Sequence, residues 1–271
     1  MLLFQFIFNI AITLAVKDFL PYLSKGLWKA PKLSAANAKT CARLSFTFLL
    51  NVLSGMIALT KVNIPMFLAI RRLASLAILL NNALFLGKQT SKTEVFAVSL
   101  ISVGALIAGA NDLNADFLGY FFIILNNVFT AIHFQLVKAE SEKNPELDAA
   151  SQSFYVSLLT IPALMLMCFF FEDPSVLQIY DKQQGFLLYF VLSAVMGCVL
   201  TFSQNLCTMV NSPLATSITG NVKDIASTLL GLLLFPDVHI NLWLCVGLVI
   251  SLSGAMVYSY SRLKEQLDKN K

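Results

Sequence analysis

The chain has 271 residues, of which 57 % are hydrophobic and 13 % charged, with a mean hydropathy of +0.74. Soluble domains carry about 45–50 % apolar and about 25 % charged residues, so this composition excludes a water-soluble globular enzyme and equally a disordered or fibrous chain. The net charge of +4, from 19 Lys/Arg against 15 Asp/Glu, includes no basic run dense enough for nucleic acid.

Nine apolar stretches follow one another, at roughly 2–16, 44–60, 65–86, 95–111, 118–137, 154–171, 185–206, 213–235 and 240–260, most of them close to the ~20 residues that cross a bilayer. None shows the alternation of a barrel strand. The predicted class is an all-α polytopic membrane protein, a single membrane domain with a cytosolic tail at 261–271. The first stretch has the length of a signal peptide, but neither a basic start nor a small-residue cleavage site, and reads as a span. Lys/Arg placement gives orientation. With the C-terminus in the cytoplasm, alternation puts Lys17, Lys25, Lys29, Lys32, Lys39, Arg43, Lys88, Lys92, Lys138, Lys143, Arg262, Lys264, Lys269 and Lys271 on that side. Only Lys61 and Lys182 lie opposite, 14 against 2. The short far-side loops at Asn111–Asp116 and Asp237–His239 carry no Lys or Arg.

Residues 60–65 read T-K-V-N-I-P and residues 208–213 read T-M-V-N-S-P, 148 positions apart. Leu73-Ala74-Ser75 is echoed by Ile225-Ala226-Ser227 at an offset of 152; Arg71-Arg72 precedes one tripeptide and Lys223-Asp224 the other. The orientation puts the two copies on opposite sides of the membrane, which is the pattern of an inverted repeat. Residues 1–111 then form a shortened first half and 118–260 a second half. The fifth stretch lacks a counterpart, so the expected architecture is a ten-helix inverted-repeat transporter whose first helix this chain lacks.

Four charged residues fall inside predicted spans: Arg71, Arg72, Lys223 and Asp224. A basic residue at mid-bilayer costs about 2.5–3.5 kcal/mol, so each must face protein, water or an anion, or else snorkel or pair internally. Lys223 and Asp224 are a candidate local pair, although adjacent helix residues point about 100° apart. Lys223 follows Gly220, which permits close approach, and Thr216, Ser217, Thr219 and Asn221, which supply hydrogen-bonding groups. A lysine behind such a turn suits a phosphate or diphosphate; a polar helix–helix contact is the bland alternative. Asn126, Asn127, Thr130 and His133 in the fifth stretch form either a polar cavity wall or interhelical bonds. Phe154 and Tyr155, with Ser151, Gln152, Ser153 and Ser157 around them, are either interfacial anchors or a surface that stacks on a flat ring.

Small residues at Gly104 and Ala108, at Ala105 and Gly109, and at Gly247, Ser251 and Ala255 read as packing stripes that let helices touch closely, the last with homodimer packing as an alternative. Pro162 is expected to kink the sixth span. Glu140, Glu142, Glu146 and Asp148 read as a solvated connector. The five cysteines, 41, 168, 198, 207 and 245, contain no C-x-x-C and read as small core residues rather than a disulfide or metal framework. No H-E-x-x-H, G-x-S-x-G or Walker loop is present, and neither an enzyme nor a cofactor is expected.

Three segments, P-M-F-L-A-I-R-R (65–72), G-Y-F-F-I-I-L-N-N-V-F-T-A (119–131) and N-S-P-L-A-T-S-I-T-G-N-V-K-D (211–224), together with L-S-G-A-M-V-Y-S-Y (252–260), carry a likeness. In these the chain resembles the nucleotide-sugar transporters of the drug/metabolite transporter superfamily, especially the UDP-sugar branch. The resemblance implies ten helices in two inverted halves. It also implies a Golgi or endoplasmic-reticulum location, and exchange of a cytosolic nucleotide sugar for a luminal nucleoside monophosphate. It places Gly220, Asn221 and Lys223 at the phosphates or nucleotide and Phe154 and Tyr155 at the nucleoside. Val156 and Ser157 stand where GDP-mannose carriers have asparagines, and the lysine of G-N-V-K-D comes one residue earlier than in their G-A-L-N-K. The resulting substrate-binding set is Lys223, Gly220, Asn221, Tyr155, Phe154, Ser157, Arg71, Arg72, Asn126 and Asn127, with no metal and no cofactor. Two rival readings are a sugar-phosphate/phosphate antiporter of the same superfamily, which usually shows Lys-Arg where this chain has Lys223-Asp224, and a non-transporting membrane adaptor.

Overall fold

Hydrocarbon offers no partner to backbone amides and carbonyls, so apolar stretches of this length fold as helices, which satisfy those groups internally. A computed structural model describes residues 2–16, 34–84, 87, 90–109, 117–145, 147–171, 186–234 and 242–269. Among them are ten helices: α1 (Leu2–Val16), α2 (Ala35–Leu59), α3 (Ile64–Arg71), α4 (Ala74–Leu84), α5 (Lys92–Gly109), α6 (Phe117–Lys143), α7 (Ala149–Phe171), α8 (Phe186–Val210), α9 (Pro213–Leu234) and α10 (Leu242–Lys269). Seven spans, counting α3 and α4 as one, are long and apolar enough to cross a membrane. The other two predicted stretches are helical as well: α1, with a shorter apolar stretch, and α9, whose first half is rich in hydroxyls. The fold is that of an all-α polytopic membrane protein. Leu84, Phe117, Phe169, Leu187 and Leu242 are each more than 70 % exposed, an apolar surface suited to lipid.

Several edges move outward from the sequence reading. α2 begins at Ala35 and α6 runs on to Lys143, because polar helical turns continue beyond the apolar segments. The far-side loops, Lys17, Lys25, Lys29, Lys32, Lys88, Glu146 and Lys182 lie outside the described residues. α7 is continuous through Pro162. Both copies of T-x-V-N-x-P end one helix and start the next: Asn63 is the N-cap of α3 with Pro65 in its first turn, and Pro213 opens α9.

The chain divides into two compact units, and each draws segments from both sequence halves. The first comprises 1–49 and 136–210. In it α1 packs against α7 and α8. Gly197 lets the Gln5 side chain lie against α8, and Asn9 Nδ2 donates to Ser157 Oγ (2.7 Å) and the Ser153 carbonyl (3.3 Å). Asn205 Nδ2 donates to Ser153 Oγ at 3.0 Å.

The second unit comprises 50–135 and 211–271. Its core gathers Ile78, Val98, Ile101, Phe134, Ile218 and Tyr258. Its closest helix pair is α5 against α10. A Cβ on Gly104 would sit 2.5 Å from Ser251 Oγ and 2.6 Å from the Gly247 carbonyl, and one on Gly254 would sit 2.7 Å from the Ala97 carbonyl. The stripe Gly247, Ser251, Ala255 is therefore occupied within the chain. The packing reading of this stripe holds, and the alternative of a homodimer seam there is corrected: the backbone of α5 already fills it, and Ser251 Oγ donates to the Ile101 carbonyl at 3.3 Å. Arg262 of α10 pairs with Glu94 of α5 at 2.8 Å near the helix ends.

Gly247→Ala is expected to destabilise the protein by about 1–3 kcal/mol, because the new methyl meets the Gly104 carbonyl and Ala108. Gly220→Ala, whose methyl would meet nothing within 4 Å, is expected not to lower stability. Thermal unfolding of the two variants in detergent checks the contrast.

Candidate functional site

The stretch predicted as one span at 65–86 is broken in its middle. α3 ends at Arg71 and α4 begins at Ala74. Across the break the Arg72 amide donates to the Ala69 carbonyl (3.3 Å) and the Leu73 amide to the Ile70 carbonyl (2.9 Å), the tighter three-residue pattern. Carbonyls displaced from a helix ladder in hydrocarbon need other donors. Asn127 of α6 donates to the Ile70 carbonyl at 3.0 Å. Ser75 Oγ and Asn221 of α9 donate to the Arg72 carbonyl at 2.9 Å and 3.4 Å. Two of the sequence-marked asparagines thus brace a tightened turn within one continuous span, where Arg72 keeps helical backbone angles.

The charged residues gather here. Arg72 is 1 % exposed, and its Nε and Nη1 find no hydrogen-bond partner among the described residues. Its guanidinium interacts electrostatically with Asp224, which is also buried. Lys223 Nζ reaches Asp224 Oδ1 at 2.7 Å, with side-chain exposures of 45 % and 7 %. The sequence argument that adjacent helix residues do not face each other is corrected here. The four-carbon lysine stem is long enough to fold back over a one-residue offset. Arg71 is half-buried and lies 5.9 Å from the centre of the Phe67 ring.

The face of α9 at Thr219, Val222 and Lys223 is exposed, and Gly220 beside it opens on empty space. Thr216, Ser217 and Asn221 are buried, so the hydroxyl-rich turn expected before the lysine does not present itself as a set. The Thr216 and Thr219 hydroxyls donate to the carbonyls of Ser212 (3.2 Å) and Ala215 (2.9 Å). A hydroxyl whose proton goes to a carbonyl can accept but cannot donate to an anion. The exposed donor of this face is the Lys223 ammonium.

Asn126 donates to the backbone and side-chain oxygens of Asn51, and Thr130 to the Asn126 carbonyl at 2.8 Å. Both are buried, as is His133. Beside them a groove of about 790 Å³ runs between α4 and α6, lined by Leu76, Leu80, Leu84, Val128 and Ile132. Its walls carry no charge and are aliphatic apart from Asn81 and Asn127, which suits hydrocarbon and not an anion.

Phe154, Tyr155 and Ser157 belong to the first unit and are buried. The two rings meet edge to face at 5.8 Å, within a cluster containing Cys41 and Leu147. The Ser34 amide donates to the Tyr155 hydroxyl at 2.9 Å, and Ser157 Oγ receives Asn9. Two features escaped the sequence reading. Glu140 is not solvated but 2 % exposed, paired with Arg43 at 2.7 Å across 97 positions. Lys138 donates to the Met209 carbonyl in the last turn of α8. Nothing local marks either contact. Asp148, from the same expected connector, accepts the Ser151 amide at 2.9 Å and so caps α7.

The Triose-phosphate Transporter family matches residues 4–259 of the chain. The chain belongs to this family. A UDP-galactose/UDP-glucose transporter of Arabidopsis thaliana is 34 % identical over 249 residues, which cover 90 % of this chain and 76 % of that one. A nucleotide sugar transporter of Homo sapiens is 32 % identical over 219 residues, covering 80 % and 65 %. The chain thus spans less than two thirds of the human relative. One protein of known crystal structure superposes with a TM-score of 0.69 at 14 % identity, covering 96 % of this chain and 87 % of that one, and shares the fold. These matches place the chain among the nucleotide-sugar transporters of the drug/metabolite superfamily, a family of transporters and not of enzymes.

Asn127→Ala would leave the Ile70 carbonyl at the break without its side-chain donor. It is expected to lower stability by about 1–2 kcal/mol, whereas Thr219→Ala on the exposed face is expected to be neutral. Thermal unfolding with ligand absent checks both.

Proposed function

We propose that this chain carries a nucleotide sugar, of the UDP-sugar class, from the cytosol into the Golgi lumen and returns a nucleoside monophosphate by alternating access. The observation that carries the reading is Lys223: a half-exposed ammonium on a helix whose neighbouring position, Gly220, leaves room for a ligand. A cation in this setting matches a diphosphate by charge and by donor geometry. The relatives named as UDP-sugar and nucleotide sugar transporters favour that class of ligand. Obligatory exchange follows from the same physics. A site whose Lys223, Asp224 and Arg72 leave one net positive charge resists crossing a dry barrier, and a bound phosphate removes that resistance.

The reading rests on the charged cluster rather than on Phe154 and Tyr155, because both rings are packed and the tyrosine hydroxyl is engaged. Arg71, half-buried beside Phe67, is a secondary source of positive potential. In proteoliposomes preloaded with uridine monophosphate, Lys223→Ala is expected to lower uptake of labelled UDP-sugar by about 10- to 100-fold, the loss of a charge-assisted bond. The apo melting temperature should stay close to that of the parent. Undiminished exchange by a folded Lys223→Ala protein would overturn the assignment.

A further inference from the structure

Asp224 interacts with two cations of opposite accessibility. The Lys223 ammonium contacts its carboxylate at 2.7 Å and its side chain is half-exposed, whereas Arg72 is buried and feels its charge without a direct ion pair among the described residues. A phosphate approaching past Gly220 can reach the ammonium, but it then stands beside a carboxylate. Two like charges at that range in a low dielectric repel strongly. For Lys223 to serve a phosphate, something must take over the charge of Asp224.

Arg72 has what that task requires. Its Nε and Nη1 are buried donors with no partner, an arrangement that costs free energy unless a partner arrives at some stage of the working cycle. The residue sits in the turn between α3 and α4, where side chains supplement a three-residue backbone ladder. Asn221, three residues before Asp224, bonds the Arg72 carbonyl and keeps the two segments side by side. The repeat adds an independent reason. At an offset of 152, Arg71-Arg72 corresponds to Lys223-Asp224, so one copy supplies a buried cation where the other supplies a buried anion.

We propose that Asp224 is a positioning residue, a shared counter-ion that holds Lys223 in the empty protein and passes to Arg72 when a phosphate claims the lysine. The three side chains sum to one positive charge before and after the exchange of partners, so the ligand's charge is the sole change. The inference rests on Lys223 being the phosphate ligand.

The test is a double-mutant cycle on the purified chain, with uridine monophosphate affinity read from ligand-induced thermal stabilisation. Arg72→Gln is expected to weaken binding at least about fivefold, because nothing takes Asp224 when Lys223 leaves it. Asp224→Asn is expected to tighten binding by a similar factor. Arg72→Gln/Asp224→Asn should return to parental affinity or better, since the charge needing compensation is gone, and Arg72→Lys should retain binding. A merely structural role for Arg72 would not be rescued by a second buried neutral substitution. Arg72→Gln binding as the parent does, or no recovery in the double variant, overturns the proposal. Should Arg72→Gln fail to fold, Asp224→Asn decides alone: tighter binding supports the shared counter-ion, and unchanged or weaker binding contradicts it. A parent protein that binds no nucleoside phosphate, or that binds equally with Lys223→Ala, would instead indict the reading of Lys223.

Discussion

Hydrocarbon penalises every unmatched charge and every backbone group without a hydrogen bond, and both demands meet in one place in this protein. The turn at Arg72–Leu73 tightens the ladder, and Asn127, Ser75 and Asn221 add side-chain donors to the Ile70 and Arg72 carbonyls there. The same turn buries Arg72 within the field of Asp224, which in turn holds Lys223. The polar side chains of α6 and α9 therefore do two things at once. They brace a tightened helical turn, and they fix the charged residues relative to one another.

The rest of the second unit gives that cluster a rigid frame. α5 and α10 approach until backbone touches backbone, through Gly104, Gly247 and Gly254. Such contact leaves little room for relative movement. α9 packs on α4 and α10 through Leu214 and Ile218, while its opposite face, with Thr219 and Lys223, stays open. In the first unit, polar contacts recur at helix faces rather than at an open site. Asn9, Ser153, Ser157 and Asn205 form one connected group, and Arg43–Glu140 ties residues far apart in sequence. Neutral polar side chains bonding across helices are a common way to join apolar surfaces in lipid.

Much of this was legible in advance. Hydrophobic run lengths marked every helix that spans the apolar stretches, and intramembrane charge singled out Arg71, Arg72, Lys223 and Asp224. The T-x-V-N-x-P repeat marked two equivalent helix junctions. What stayed hidden has physical reasons. No proline or glycine announces the break at Arg72–Leu73; it depends on donors supplied from α6 and α9, far away in sequence. Helix geometry argued against a Lys223–Asp224 contact because it considers Cβ directions and not the reach of a flexible stem. Glu140 read as solvated because its partner Arg43 lies 97 positions away. The small-residue stripe of α10 announced close packing, but sequence alone did not show that α5 fills it. The interleaving of both sequence halves in each compact unit leaves no trace in composition.

Whether the Lys223 face of α9 meets water or lipid is the most direct question. It is answered by placing a single cysteine at Thr219, one turn before the intact lysine, in a chain whose five native cysteines are replaced. If this face lines a ligand chamber, a membrane-impermeant anionic thiol reagent should label Thr219→Cys, and uridine monophosphate should slow the labelling. Reaction only with a lipid-soluble maleimide, indifferent to the nucleotide, would show that the face looks into the bilayer and that the lysine has no phosphate to serve.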